Sequence, residues 1–464
     1  MNSLLQAQKL ANLVHGPLTL EQRVDWLTRL IGLLVDHKEE IAETVSRDFG
    51  NRPRELTLMT DVLASIGALK FAREHVAKWM QPDAHAGLFP DAEAEVDYVP
   101  LGVVGMISPW NFPINLTFSP LASIVAAGNR CIIKPSELTP ATSDLLKKML
   151  AAAFDETEIA VVLGGPDVAA AFSGLAFDHL IYTGSTAVGR HVMRAAADHL
   201  VPVTLELGGK SPVIISQSAP IEDAAARVMT VKTFNAGQIC LAPDYVFVPE
   251  DKLEPFIASA TQAVGTMFPT IVNNPNYTSI INERHHTRLQ SYLTDAKEKG
   301  ARIVEINPAQ ESFAEQNVHR MPPSLVIQPP EDAKVMQDEI FGPILPIMTY
   351  RHIDEAIAFV NKRSRPLALY YFGQDQAEEQ KVVGGTTSGG VTVNDVMTHV
   401  FSDSMPLGGV GDSGMGAYHG EPGFKNFSHA RSVYRQSKAV EAEYAIRAPF
   451  GEPVNQYLDA AIVK

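Results

Sequence analysis

Val203-Thr204-Leu205-Glu206-Leu207-Gly208-Gly209-Lys210 is the stretch that decides how this chain is divided. An apolar run ends in an acid, and two glycines then break the strand into a turn. Upstream, short apolar runs at residues 103–107, 131–133, 159–163, 180–182 and 203–205 alternate with helical patterns near 117–127, 140–154 and 187–200. Downstream, a second series of runs lies at 213–215, 245–248, 301–306, 325–328, 344–350, 367–372 and 390–394. Helical patterns near 222–236, 251–267, 283–299 and 353–361 separate several of these. Apolar runs with helices between them argue for a parallel sheet covered on both faces. The chain therefore reads as two α/β domains in tandem, divided near Glu206–Lys210. Before the first series, helical spacing runs over 21–49, where Gly50 ends it, and again over 56–80. Residues 81–94 are rich in Pro, Gly and Asp and read as an exposed connection. Beyond Lys438 periodicity is weak, which suits an arm packing on a partner chain.

The 464 residues are too many for one ordinary core. With 45% hydrophobic and 20% charged residues, the composition is that of a globular protein. A formal net charge of −15 repels phosphate backbones and argues against nucleic acid as a partner. No stretch is apolar enough to span a bilayer, and Met1-Asn2-Ser3-Leu4-Leu5-Gln6 lacks the pattern of a secretory signal. Two cysteines make no disulfide framework, and a working thiol is at home in a reducing cytoplasm.

Cys240 closes Phe234-Asn235-Ala236-Gly237-Gln238-Ile239-Cys240. Gly237 and Gln238 before it and Pro243 and Asp244 after it make a polar bend that can expose a thiol, whereas Cys131 sits in an apolar run and reads as structural. Glu206, at the end of an apolar strand, reads either as a base with a raised pKa or as an exposed hinge acid. Together a lone thiol and a lone carboxylate suit chemistry through a thioester. In Ser108-Pro109-Trp110-Asn111-Phe112-Pro113 an Asn held in a stiff turn can aim its amide at an oxyanion, or simply bond its own backbone. Lys134-Pro135-Ser136-Glu137 follows a buried strand, where a lysine and an acid can hold ribose hydroxyls or form a surface ion pair. Thr183-Gly184-Ser185-Thr186-Ala187-Val188-Gly189 joins a strand to a helix, as a pyrophosphate turn or an ordinary cap. Glu339 and Phe341, beside Gly342-Pro343, can grip a ribose and flank a flat ring, or mark a plain turn. His285-His286 reads as a solvated helix face without partner ligands at zinc spacing, so no metal site is expected.

In this order the motifs closely resemble the aldehyde dehydrogenase superfamily, over roughly residues 10–435. Leu205–Lys210, Gly237–Cys240 and Glu339–Pro343 carry the resemblance most specifically. Cys240-Leu241-Ala242-Pro243-Asp244-Tyr245, Gly390-Val391-Thr392-Val393-Asn394-Asp395 and Gly414-Met415-Gly416-Ala417-Tyr418-His419-Gly420 point to the class 3-like branch, which includes fatty-aldehyde and coniferyl-aldehyde dehydrogenases. The resemblance implies two Rossmann-like open-sheet domains with a small oligomerisation element. Residues 1–207, with a bridging strand near 94–100, would bind NAD(P). Residues 208–405 would carry the nucleophile, and 406–464 the C-terminal loop and oligomerisation arm of a homodimer.

It further implies Cys240 as nucleophile, Glu206 as general base and Asn111 as the oxyanion amide. Ser108, Trp110, Lys134, Glu137, Gly184, Ser185, Val188, Gly189, Glu339 and Phe341 would contact the cofactor, NAD with NADP as a second option. The substrate would be a small aldehyde, aromatic or medium-to-long aliphatic, admitted past Phe112, Leu116 and Phe234. Leu407 stands where many relatives have Phe, a departure that touches substrate fit. Two rivals frame these expectations. A CoA-acylating relative typically lacks the base that Glu206 supplies, and a cysteine hydrolase needs a His beside the thiol and no dinucleotide.

Overall fold

The computed structural model describes residues 1–87, 91–314, 316–438 and 448–464. Its first large sheet has the spatial order Gly414–Met415, Val203–Glu206, His179–Thr183, Val103–Ile107, Arg130–Lys134, Ile159–Val161. All pairs are parallel except the first, where Gly414–Met415 runs antiparallel to Leu205 and Glu206. Val103–Ile107 and Arg130–Lys134 are buried at every residue, as expected of strands covered on both faces. From Val103–Ile107 the chain winds outward on one side to Ile159–Val161, then returns to the other side at His179–Thr183. That reversal opens a crevice beyond the strand C-terminal ends, the usual ligand position in such sheets.

The second sheet follows the order Arg302–Glu305, Ser324–Ile327, Ile344–Tyr350, Tyr245–Pro249, Pro212–Ile215, Ala368–Phe372, Gly390–Val393. It is parallel except for its first, antiparallel pair. Both series of apolar runs thus form sheets, within a residue or two of the expected bounds. The strand expected near 94–100 is Glu93–Pro100, the centre of a small antiparallel sheet between Asp83–Ala86 and Ser428–Arg435. Eight register pairs tie Ser428–Arg435 to this chain's own Glu93–Pro100.

Several elements depart from the sequence reading. The helical stretch at 21–49 is two helices, Leu20–Asp36 and Lys38–Phe49, broken at His37. The first opens on a reciprocal cap between Thr19 and Gln22. At the break, the His37 ring meets Glu40 at 2.8 Å, and the second helix turns to pack on Pro140–Ala153. An unbroken apolar stripe gives no sign of such a turn. The stretch from Arg54 to Trp79 is helical throughout, with a π-helical turn at Leu58–Leu63. Helices Asn2–His15, Pro166–Ser173 and Gln376–Gly385 were not foreseen. Of the terminal segment expected as an arm, 439–447 lies outside the described residues, and Glu452–Ala461 is an exposed helix.

Two substitutions separate packing from backbone strain. Leu369 is fully buried on a strand with neighbours on both sides, so Leu369→Ala should cost about 2–5 kcal/mol. Leu200 is 90% exposed at φ 55°, so Leu200→Gly should be neutral or stabilising by up to about 1 kcal/mol. Thermal and urea unfolding of the two variants check both signs.

Candidate active site

A cleft of about 1460 Å³ runs along the C-terminal ends of the first sheet and is closed by segments of the second. Asn111, Glu206 and Cys240 all line it, as do all the expected cofactor contacts except Gly189. Gly189 is buried in the helix Thr186–Ala197; a Cβ there would come 2.8 Å from Leu207, so it lets the helix pack on the residue after Glu206.

The nucleophile loop leaves the helix Ile221–Thr233 through three consecutive left-handed residues, Asn235 (φ 48°), Ala236 (φ 52°) and Gly237 (φ 72°). Two of these are not glycine, a strain of about 1–3 kcal/mol each that surrounding contacts must hold. Asn235 donates its amide to the carbonyls of Asn111 (3.2 Å) and Gln238 (3.3 Å). Gln238 donates to Asn235 and Ser279 and accepts from Ile281 N–H. A Cβ at Gly237 would lie 2.4 Å from the Gly342 carbonyl, so only glycine fits. Cys240 emerges partly exposed to the cleft.

Asn111 comes from the first sheet's side, and its amide donates to the Gln238 carbonyl at 3.2 Å, two residues from the thiol. Its own carbonyl accepts from Arg52 (2.9 Å). Arg52 pairs with Asp61 at 2.7 Å, both side chains fully buried, and Asp61 accepts from the Ile114 and Asn115 N–H groups. Asp61 lies in the π-helical turn, so that irregularity coincides with support for the Asn111 loop.

Glu206 is 4% exposed, and one of its oxygens has no hydrogen-bond partner among the described residues. Burial holds its pKa well above the ordinary carboxylate value. Glu339 lies against Gly208, where any Cβ would fall about 2.1 Å from its carboxylate. Burial, then Asp244, pushes Glu339 up to about 8, against weaker opposing pulls from the Gly209 N–H, Lys210 and Arg288. The Cys240 thiol is pushed up to about 12 by burial first, then by Glu339 and Glu206.

The residues at the first sheet's edge suit a dinucleotide. Ser185 caps the helix Thr186–Ala197, whose N-terminal residues line the cleft and offer N–H groups to an anion. Gly184 leaves room that a Cβ would fill, at 2.2 Å from the Tyr182 hydroxyl. Lys134 ends its strand with Nζ 3.0 Å from Glu137. Trp110 stands edge-on to Phe341 with ring centroids 5.3 Å apart, giving a flat apolar wall.

Some expectations are corrected. His285 is not on a solvated face: it lines the cleft 5.3 Å from the Trp110 ring, and burial lowers its pKa to about 4. Its neighbour His286 does gather with Glu283 and His319, their ligating atoms within 4.8 Å of one another. The exposed Glu283 meets His319 at 3.2 Å within this trio. Phe112 does not line the cleft; it is buried beneath the Arg52 guanidinium, 4.8 Å away. Phe234 is not among the residues that line this cleft either; it is half-buried and packs against the second core, and Leu116 alone of the three expected gate residues lines the cleft. The sequence reading missed Arg52, Asp61, Asn235, Lys210, Asp244 and Lys232. A buried Arg–Asp pair nine residues apart leaves no periodic mark, and a lysine inside an apolar helix face was the one signal to follow.

Residues 4–433 match the aldehyde dehydrogenase family. Over its whole length the chain is 56% identical to a probable coniferyl aldehyde dehydrogenase of Caulobacter vibrioides, covering 97% of that protein. It is also 56% identical to a coniferyl aldehyde dehydrogenase of Pseudomonas sp., covering 96% of it. Aldehyde dehydrogenase family 3 member A2 of Mus musculus is 38% identical over 93% of this chain and 87% of its own. Among solved structures, the substrate-bound state of Staphylococcus aureus AldH superposes with a TM-score of 0.92 at 34% identity, over 99% of both chains. The P. syringae indole-3-acetaldehyde dehydrogenase in complex with NAD+ superposes at 0.85 with 25% identity, over 93% of this chain and 88% of that one. With a thiol, an amide and a carboxyl meeting in a dinucleotide-sized cleft, this chain belongs to the aldehyde dehydrogenase family and is an NAD(P)-dependent oxidoreductase acting on aldehydes.

Proposed function

We propose that the enzyme oxidises an aromatic aldehyde of the coniferyl type to its acid, through a thioester on Cys240, with NAD as the preferred acceptor. The observation that carries the chemistry is the convergence of Cys240, Asn111 and Glu206 on one cleft from three separate motifs. The two 56% identical relatives named for coniferyl aldehyde support the substrate class. Glu137 supports NAD, since its carboxylate accepts ribose hydroxyls and repels a 2′-phosphate. A working thiol suits a reducing cytoplasm. A homodimer is supported by Ser428–Arg435, which among the described residues is an edge strand paired on one side only.

Cys240 Sγ, as thiolate, attacks the aldehyde carbon. The Asn111 amide and the Cys240 backbone N–H hold the resulting oxyanion. When bound, NAD(P) accepts the hydride that this adduct loses. Glu206 then takes a proton from water, which attacks the acyl carbon and releases the acid and the free thiol. With its pKa raised by burial, Glu206 is a stronger base than an ordinary carboxylate and becomes active as pH climbs through that raised value. A base in this position favours hydrolysis over transfer to CoA.

Cys240→Ala should abolish turnover while dinucleotide binding survives. Asn111→Ala should lose on the order of a hundredfold in kcat, about 3 kcal/mol. Glu206→Gln should keep a single burst of reduced cofactor and lose steady-state turnover, together with the rise of kcat with pH. Full steady-state activity in Cys240→Ala would end this reading.

Iodoacetamide labelling tests the electrostatics. Without cofactor, a thiol pushed up to about 12 should label slowly at pH 7 and faster as pH rises. Oxidised cofactor, with its positive ring near the sulfur, should accelerate labelling; an unchanged rate contradicts the proposal. An aldehyde panel run with NAD, then NADP, then added CoA separates the cofactors and the acceptors, with coniferyl aldehyde, NAD and free acid the expected combination.

A further inference from the structure

Behind Glu339 lies a cluster of buried charges that the thioester chemistry does not use. Lys210 ends the Glu206 motif, and its side chain is 10% exposed. Its ammonium pairs with Asp244, whose side chain is 3% exposed, and also donates to the carbonyls of Val335 and Asp338, each at 2.9 Å. Asp244 follows Cys240 by four residues, accepts from the Ile340 N–H at 3.1 Å and donates its own N–H to Ser211. One ion pair therefore joins the base motif, the nucleophile loop and both flanks of Glu339. Lys232, on the helix that leads into the Cys240 loop, is 0% exposed, and its ammonium has no hydrogen-bond partner among the described residues. The charges acting on it are Asp244, Glu339 and Lys210.

A buried ion pair is weak evidence for stability, because desolvation offsets most of its attraction. Better attested is its use in fixing one arrangement among several, and this one fixes a loop whose tip must stand at a set distance from a sulfur. Burial pulls Lys232 down to about 8 and pushes Glu339 up to about 8, so both groups are costly to keep charged without the ion pair beside them.

We propose that Lys210 and Asp244 form a buried latch, with Lys232 as its second cation, that seats the Glu339 loop on the nucleophile loop and so sets the position of the bound dinucleotide. The three are positioning residues, acting through Glu339. The inference rests on the reading of Glu339 as a cofactor contact.

The test measures dinucleotide Kd by quenching of tryptophan fluorescence, KM and kcat, iodoacetamide labelling of the cofactor-free enzyme, and thermal stability. Asp244→Asn keeps an acceptor for Ile340 and loses the charge; Lys210→Met loses the ammonium. Both should raise Kd and KM for the dinucleotide at least tenfold and change kcat less, with Lys210→Arg restoring part of the loss. Labelling of the cofactor-free enzyme should stay within about threefold of wild type. Lys232→Met breaks no hydrogen bond, so it should fold at least as stably as wild type yet raise Kd about fivefold. It keeps the test decisive should the other variants fold poorly. Kd and KM within twofold of wild type in all three charge-removing variants would overturn the latch. Glu339→Gln separates the two layers: unchanged dinucleotide affinity there sinks the reading of Glu339, whereas a loss there with none in the latch variants sinks the latch alone.

Discussion

A thiol and two carboxyl groups share a cleft in which two of the carboxylate oxygens lack any hydrogen-bond partner. Burial raises the pKa of all three, and Glu206 and Glu339 both add to the shift at Cys240. Such a site rests close to neutral, because each ionisation opposes the next. Linkage then couples ligand charge to reactivity: a cation arriving beside the sulfur lowers all three pKa values and is itself bound more tightly as they fall. On the proposed mechanism, the Cys240 sulfur would therefore gain reactivity when a positive ring is in place.

Holding together three groups whose ionisations oppose one another requires a scaffold that does not relax. The Cys240 loop stores backbone strain at Asn235 and Ala236, and the side-chain amides of Asn111, Asn235 and Gln238 hold it there. Asn111 is the junction, since its carbonyl takes both Arg52 and Asn235 while its amide faces the Gln238 carbonyl. Arg52 is held in turn by Asp61, whose second oxygen collects the N–H groups at the start of the helix Asn115–Ala126. Asn111 and the Cys240 loop are thus parts of one hydrogen-bonded unit spanning both sheets. That arrangement preorganises a dipole without waiting for the substrate to order it.

Much of this was legible in the sequence, and the reason is local. Strands Val103–Ile107 and Ile344–Tyr350 are short apolar runs bounded by turn residues, so period and punctuation suffice to find them. Cys240, Glu206 and Glu339 stand a few residues from glycines that close packing demands, at Gly237, Gly208 and Gly342, and such motifs are compact enough to read. What escaped was set by contacts between distant segments. Phe112 looked like a gate because it neighbours Asn111, but the buried Arg52 needs a ring beneath it and turns Phe112 inward. His285 looked solvated beside Arg284, His286 and Arg288, yet its side of the helix faces Trp110. The Lys210–Asp244 pair spans thirty-four positions and joins two motifs that were each read separately.

The C-terminal segment shows how far such coupling reaches. Gly414 and Met415 pair with Glu206 and Leu205, and the Leu207 N–H donates to the Ser413 carbonyl. On its other side the Glu206 carbonyl accepts from Gly184, at the start of the cofactor turn. Glu206 is therefore fastened between the proposed dinucleotide site and a loop that begins near Leu407. Leu407 accepts from the Tyr418 N–H through its carbonyl, and the buried phenol of Tyr418 feels the charges of both Glu206 and Cys240. A change of side chain at 407 that shifts this loop would reach the base through Tyr418 and Gly414 as well as through the substrate.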